Sequence, residues 1–132
     1  MPNIHHLVHS EPGDGHANED LVAVRPHPGD GALVLCCLAY GQGGQAGGVS
    51  AARPTAFSAR PTPGWVLLVV SDGVWKYVGW KSIAQMAARH QERELIDALR
   101  RAALAAGGGR LQDDFSVALL YDGTTRVGQN GL

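Results

Sequence analysis

The stretch Trp65–Trp80, WVLLVVSDGVWKYVGW, is where the pattern of this chain changes period. Residues Trp65 to Val70 are continuously apolar and rich in Val, which reads as a buried strand, and the run ends at the Asp72-Gly73 pair, which reads as a turn. From Trp80 onward the apolar residues fall at helical spacing, first Ile83, Met86, Ala87 and His90, then Leu95, Ile96, Leu99, Ala102, Ala103 and Ala106. Glu92 and Glu94 open the second of these helices and Arg100 and Arg101 lie near its end, an order that suits the helix dipole; Gly107 to Gly109 terminate it. Upstream, ALVLCCLAY (32–40) is another continuous apolar run, expected to be a central strand buried on both faces. It empties into the glycine-rich GQGGQAGG (41–48) and VSAAR, where a short helix stopped near Pro54 is expected, and Thr55–Gly64 reads as an irregular connector. Ile4–Ser10 and Leu21–Arg25 read as strands around the acidic turn EPGDGHANED, and Phe115–Tyr121 as a last strand closed by Asp122-Gly123.

These 132 residues, 45% of them apolar, suffice for one domain with its own core and leave little room for a second. Residues 1–123 are expected to form that domain and 124–132 a polar tail. Eleven basic and twelve acidic side chains leave a formal charge of −1, so no cationic field gathers nucleic acid or anionic lipid, and neither is expected as a partner. No run approaches the ~18 apolar residues of a membrane span, and MPNIHHLVHS has neither the basic nor the apolar part of a signal peptide, so the expected location is the cytoplasm. Cys36 and Cys37 are adjacent, point to opposite faces of a strand and are expected to be buried as small hydrophobes.

The carboxylates are concentrated at the ends of the apolar runs. Glu19-Asp20 precede the second strand, Asp72 follows the LLVV strand, and Asp113-Asp114 precede the last one. Acidic groups beside buried apolar segments are costly without a compensating positive charge, and hard divalent cations prefer carboxylate oxygens.

In their order, NEDLVAV, LVLCCLAYGQGGQAGG, VLLVVSDGVWKYV and LQDDFSVALL resemble the signature segments of the metal-dependent 2C-type Ser/Thr protein phosphatases, the PPM family. That resemblance implies an α+β fold, a reduced antiparallel β-sandwich flanked by helices, with about five strands and two or three helices. It implies Mg²⁺ or Mn²⁺ as cofactor, with Glu19 and the Gly41 carbonyl at one metal, Asp20 supporting that site, and Asp72 and Asp113 at the other. Asp114 stands where the family has Asn. The family's metal-bridging Asp is replaced by Tyr40, a neutral phenol and a poor ligand for these ions. Two divalent ions ~4 Å apart repel by on the order of 16 kcal/mol at an effective dielectric of ~20, so losing the bridging anion disfavours the pair. No Arg shortly precedes the Glu-Asp pair to hold the substrate phosphate; His16 is the candidate there.

Only 20 residues separate Gly44 from Trp65, where the family has further strands and a long helix. A sandwich shortened in this way exposes sheet edges and apolar faces, so a homodimer or a protein partner covering them is expected, with a phosphoprotein among the candidates. The expected function is that of a degenerate phosphatase-like protein with an incomplete metal centre, acting by binding or self-association. The alternatives are an active minimal phosphatase using Asp72 and Asp113, and an interaction module without phosphate chemistry. His5, His6 and His9 do not form a metal site on a regular strand, because His6 points away from the other two. GQGGQAGG lacks the Lys-Ser/Thr of a P-loop.

Overall fold

The structure, a computed structural model, describes residues 4–30, 33–40, 58 and 62–123. Strands β1 (Ile4–Glu11), β2 (Leu21–Pro26), β3 (Val34–Ala39) and β4 (Val66–Val70) are followed by helices α1 (Asp72–Val78), α2 (Trp80–Arg89) and α3 (Arg93–Ala106), then by β5 (Phe115–Asp122). All strand pairs are antiparallel. β1, β5 and β4 form one sheet with β5 in the middle, and β2 and β3 form a separate two-stranded sheet. The mixed α and β composition with antiparallel sheets agrees with the α+β expectation.

Alternation along β5 organises the layers. Phe115, Val117, Leu119 and Tyr121 face one side, where they pack with Leu95, Ile96 and Leu99 of α3, Ile83 of α2 and Val74 of α1. Ala118 and Leu120 face the other side and pack against Val24 of β2, with Val22, Val34 and Cys36 around them. Helices therefore cover one face of the three-stranded sheet and the β2–β3 hairpin covers the other. Full burial of Leu95, Ile96, Leu99 and Leu119 is worth about 1.5–3 kcal/mol each, which makes α3 on β5 the mechanical centre.

Three expectations are corrected. The central strand is Phe115–Asp122, buried at every position, and not the 32–40 run, whose strand Val34–Ala39 pairs, among the described residues, with β2 alone. In β3 burial alternates, with Val34 and Cys36 inward and Leu35 and Cys37 outward; a continuous apolar run reads the same whether or not its second face is covered. Cys37 is accordingly exposed, and both cysteines are free. Asp72-Gly73 is no turn either: Asp72 is the first residue of α1, which begins two positions after the last residue of β4.

Gly79 separates α1 from α2 with φ +85°, a left-handed conformation that favours glycine. Among the described residues no helix is long and apolar enough to cross a membrane. The expected helix near Pro54, the Gly41 position, residues 55–57 and 59–61 of the 55–64 connector and the 124–132 tail lie outside the described residues.

Candidate metal centre

The acidic positions meet at one end of the three-stranded sheet because of the register. Val70 of β4 pairs with Val117 of β5, which sets Ser71-Asp72 beside Asp114-Phe115-Ser116. Glu11 of β1 pairs with Phe115, which brings in the turn that follows β1. Two backbone-directed bonds weld β4 to β5 at this end: Ser71 N–H donates to the Ser116 carbonyl (3.0 Å), and Ser116 N–H donates to Ser71 Oγ (3.1 Å). The Ser71 hydroxyl donates in turn to the Asp114 carbonyl at 3.3 Å.

Gly73 sets the spacing between α1 and this segment. A Cβ built on it would lie 1.8 Å from the Asp114 carbonyl oxygen, so only glycine lets the start of α1 press against the backbone of Asp114. Asp72 is thereby buried beside Asp113. Burial first, and the Asp113 charge second, push the Asp72 carboxyl above the ordinary Asp range, while Lys76 pulls it back.

Asp114 is buried and fastens the 13–19 turn. Its Oδ1 accepts the Gly13 N–H at 2.9 Å and its Oδ2 accepts the Glu19 N–H at 2.7 Å. Asp113 Oδ1 accepts the N–H of Asp114 at 2.8 Å. The His16 Nδ1 donates to the Ala17 carbonyl at 3.0 Å and lies 3.3 Å from Asp114 Oδ1. The Ala17 bond, then the charges of Asp114, Asp113 and Glu19, raise the His16 pKa above its ordinary value.

Asp20 closes a separate polar chain at the head of β2. Asn18 Nδ2 donates to Ser10 Oγ (2.8 Å), Ser10 Oγ lies 2.7 Å from Ser116 Oγ, and the Ser116 hydroxyl donates to Asp20 Oδ2 (2.6 Å). Because an ionised carboxylate only accepts, the Ser116 proton points to Asp20 and the Ser10 proton to Ser116. Asn18 Oδ1 completes the loop by accepting the Asp20 N–H at 2.9 Å. Burial is the main reason that the Asp20 pKa lies above the usual Asp range, and the charges of Asp114 and Asp113 add to it.

Of the sequence-predicted site residues, Asp20, Asp72, Asp113, Asp114 and His16 are thus gathered at one end of the sheet. Glu19 is exposed and is tied there through its backbone N–H; Tyr40 directly follows β3 and is half-buried; Gly41 lies outside the described residues. One ligand atom each from His16, Asp113 and Asp114 lie within 4.8 Å of one another, so these three could hold a metal ion.

Ser10, Asn18, Ser71, Ser116 and Lys76 were not legible as site residues in the sequence. Ser116 came nearest to it, two positions after Asp114 at the start of the last strand. No family model matches the chain, and neither a curated protein nor a solved structure matches it.

Proposed function

We propose that this chain is a 2C-type phosphatase-like domain whose acidic end takes a single divalent ion, Mn²⁺ or Mg²⁺, and which acts by binding a partner or a second copy of itself and not by turning over a phosphate ester. The observation that carries this reading is the convergence of Asp20, Asp72, Asp113 and Asp114, from three separate parts of the chain, at one end of the sheet. Burial first, and then the charges of neighbouring carboxylates, raise the pKa of two of these, Asp20 and Asp72, above the ordinary Asp value. Such an end repels a phosphate unless a cation intervenes.

The residues favour one ion. Both Asp114 oxygens already accept backbone N–H groups and Asp20 accepts the Ser116 hydroxyl, while at the position where the resemblance implies a bridging Asp the chain has Tyr40, a neutral phenol. Asp113 and Asp114, with His16 once deprotonated, would hold the ion, and Asp20 would add to the local negative field. When bound, the ion would neutralise charge on a phosphoryl group and acidify a water.

Hydrolysis of a chromogenic phosphate monoester in Mn²⁺ tests the reading. Unmodified protein is expected to turn over no faster than Asp72→Ala, and Tyr40→Asp to gain Mn²⁺ affinity. Turnover by the unmodified protein that Asp72→Ala abolishes would instead establish the active minimal phosphatase. Loss of Mn²⁺ binding in Asp113→Asn, read by calorimetry, checks the single-ion site itself.

A further inference from the structure

Between Asp72 and Glu92 the chain has no acidic residue, and both of its lysines, Lys76 and Lys81, fall there together with Arg89. Lys76 is taken up by Asp72, whose Oδ2 lies 3.5 Å from its Nζ. Lys81 and Arg89 are exposed, and among the described residues neither has an ion pair. Between them and α1 stands Trp80, 60% exposed in spite of its large apolar ring. That ring stacks on Trp75 with centroids 6.2 Å apart and planes 11° from parallel, so one face is held and the other is turned outward in a fixed position. A rigid, exposed indole is an anchor that loses little side-chain freedom when a partner packs on it.

The outer side of α2 is laid out in two rows. Ile83, with Met86 and Ala87, turns to the core. On the opposite side residues four apart line up, so that Trp80, Ala84 and Ala88 form an apolar row and Lys81, Gln85 and Arg89 a basic one beside it; all six are exposed. Each row is about 12 Å long at ~1.5 Å per residue, the span of about four residues of an extended peptide. Side chains of such a peptide alternate, so acidic residues at every second position lean to the basic row while the apolar residues between them meet the Trp80 row. We propose that this face of α2 is the docking surface for an extended segment of a protein partner in which acidic and apolar residues alternate. The proposal rests on the reading of the chain as a partner-binding protein, to which it gives a surface, and is independent of the metal ion. A membrane or a single-stranded nucleic acid fits less well. The formal charge of −1 disfavours a long polyanion, and one outward indole face stacks on one base and not on a run of them.

Fluorescence anisotropy of a labelled peptide of repeating Glu-Leu, titrated with the whole chain, tests this. The peptide is expected to bind, less tightly as salt is raised, and about tenfold or more tighter than a peptide of the same composition with its Glu and Leu in two separate blocks. Lys81→Glu combined with Arg89→Glu, and separately Trp80→Ala, are each expected to weaken binding about tenfold or more. Circular dichroism checks that these exposed changes keep the fold; should Trp80→Ala lose it, the charge variant alone decides. Absence of binding, equal binding of the block peptide, or equal binding by the variants overturns the proposal. Tighter binding to phosphatidylserine vesicles or to oligo(dT) than to the Glu-Leu peptide, lost in the same variants, overturns it in favour of a lipid or nucleic-acid surface. Hydrolysis of the phosphate monoester by a chain that also binds the peptide keeps this surface and sinks the non-hydrolytic reading. Calorimetry with Mn²⁺ separates the remaining ideas. Peptide binding without Mn²⁺ binding leaves the surface standing and the cation site fallen, and Mn²⁺ binding without peptide binding does the reverse.

Discussion

Asp20 shows at the residue scale what burying a carboxylate does at this end of the sheet. Its folded-state pKa is raised, chiefly by burial, so the folded chain holds the proton more tightly than the unfolded one does. A raised carboxyl costs stability as pH climbs from the ordinary value of 3.8 through the folded-state value, and the cost is fully present above that window. Asp20→Asn keeps an oxygen for the Ser116 hydroxyl and removes the charge. It is therefore expected to raise the melting temperature at pH 7 and to leave it unchanged near pH 3, below both values. Scanning calorimetry at the two pH values checks this, and a lower melting temperature at pH 7 would refute it. The sequence marked Asp20 as a site residue because it borders an apolar strand. It could not mark Ser10, Asn18 or Ser116, whose contacts with Asp20 and with one another depend on the pairing of Ser10 with Ser116 across β1 and β5.

At the scale of elements, the decisive contact is the start of α1 against the backbone of Asp114. Gly73→Ala would drive a Cβ to 1.8 Å from a carbonyl oxygen that cannot rotate away, and is expected to cost about 3 kcal/mol in urea unfolding. Gly79→Ala meets no atom within 4 Å and strains only the backbone at φ +85°, for an expected cost of about 1 kcal/mol. Equal costs would mean that the close approach at Gly73 yields readily. The two long helices were legible because Ile83 and the Leu95, Ile96 and Leu99 set repeat at helical spacing and are buried as that spacing requires. α1 was not, because its seven residues make fewer than two turns, too short to show a period, and Asp-Gly is more familiar as a turn. That misreading also hid Lys76, which meets Asp72 only if both sit on one helix, four residues apart.

For the whole molecule, the exposed surface carries the next expectation. Leu21, Leu33 and Leu35 are 59%, 52% and 67% exposed, and Leu35 lies on the outer side of the β2–β3 hairpin. Light scattering at micromolar concentration is expected to read a mass above 13.9 kDa, with Leu35→Asp reducing it to that of one chain. A single-chain mass for the unmodified protein would rule out self-association. The sequence by itself determined the strand segments, the two longer helices and the clustering of carboxylates at strand ends, because periodicity and turn residues are local properties of the chain. Only the tertiary structure decided that β5 is the central strand, that burial alternates along β3, and which carboxylates face a hydroxyl, a backbone N–H or an ammonium. Those outcomes depend on register and on layer against layer, where residues about a hundred positions apart, such as Gly13 and Asp114, come within hydrogen-bonding distance.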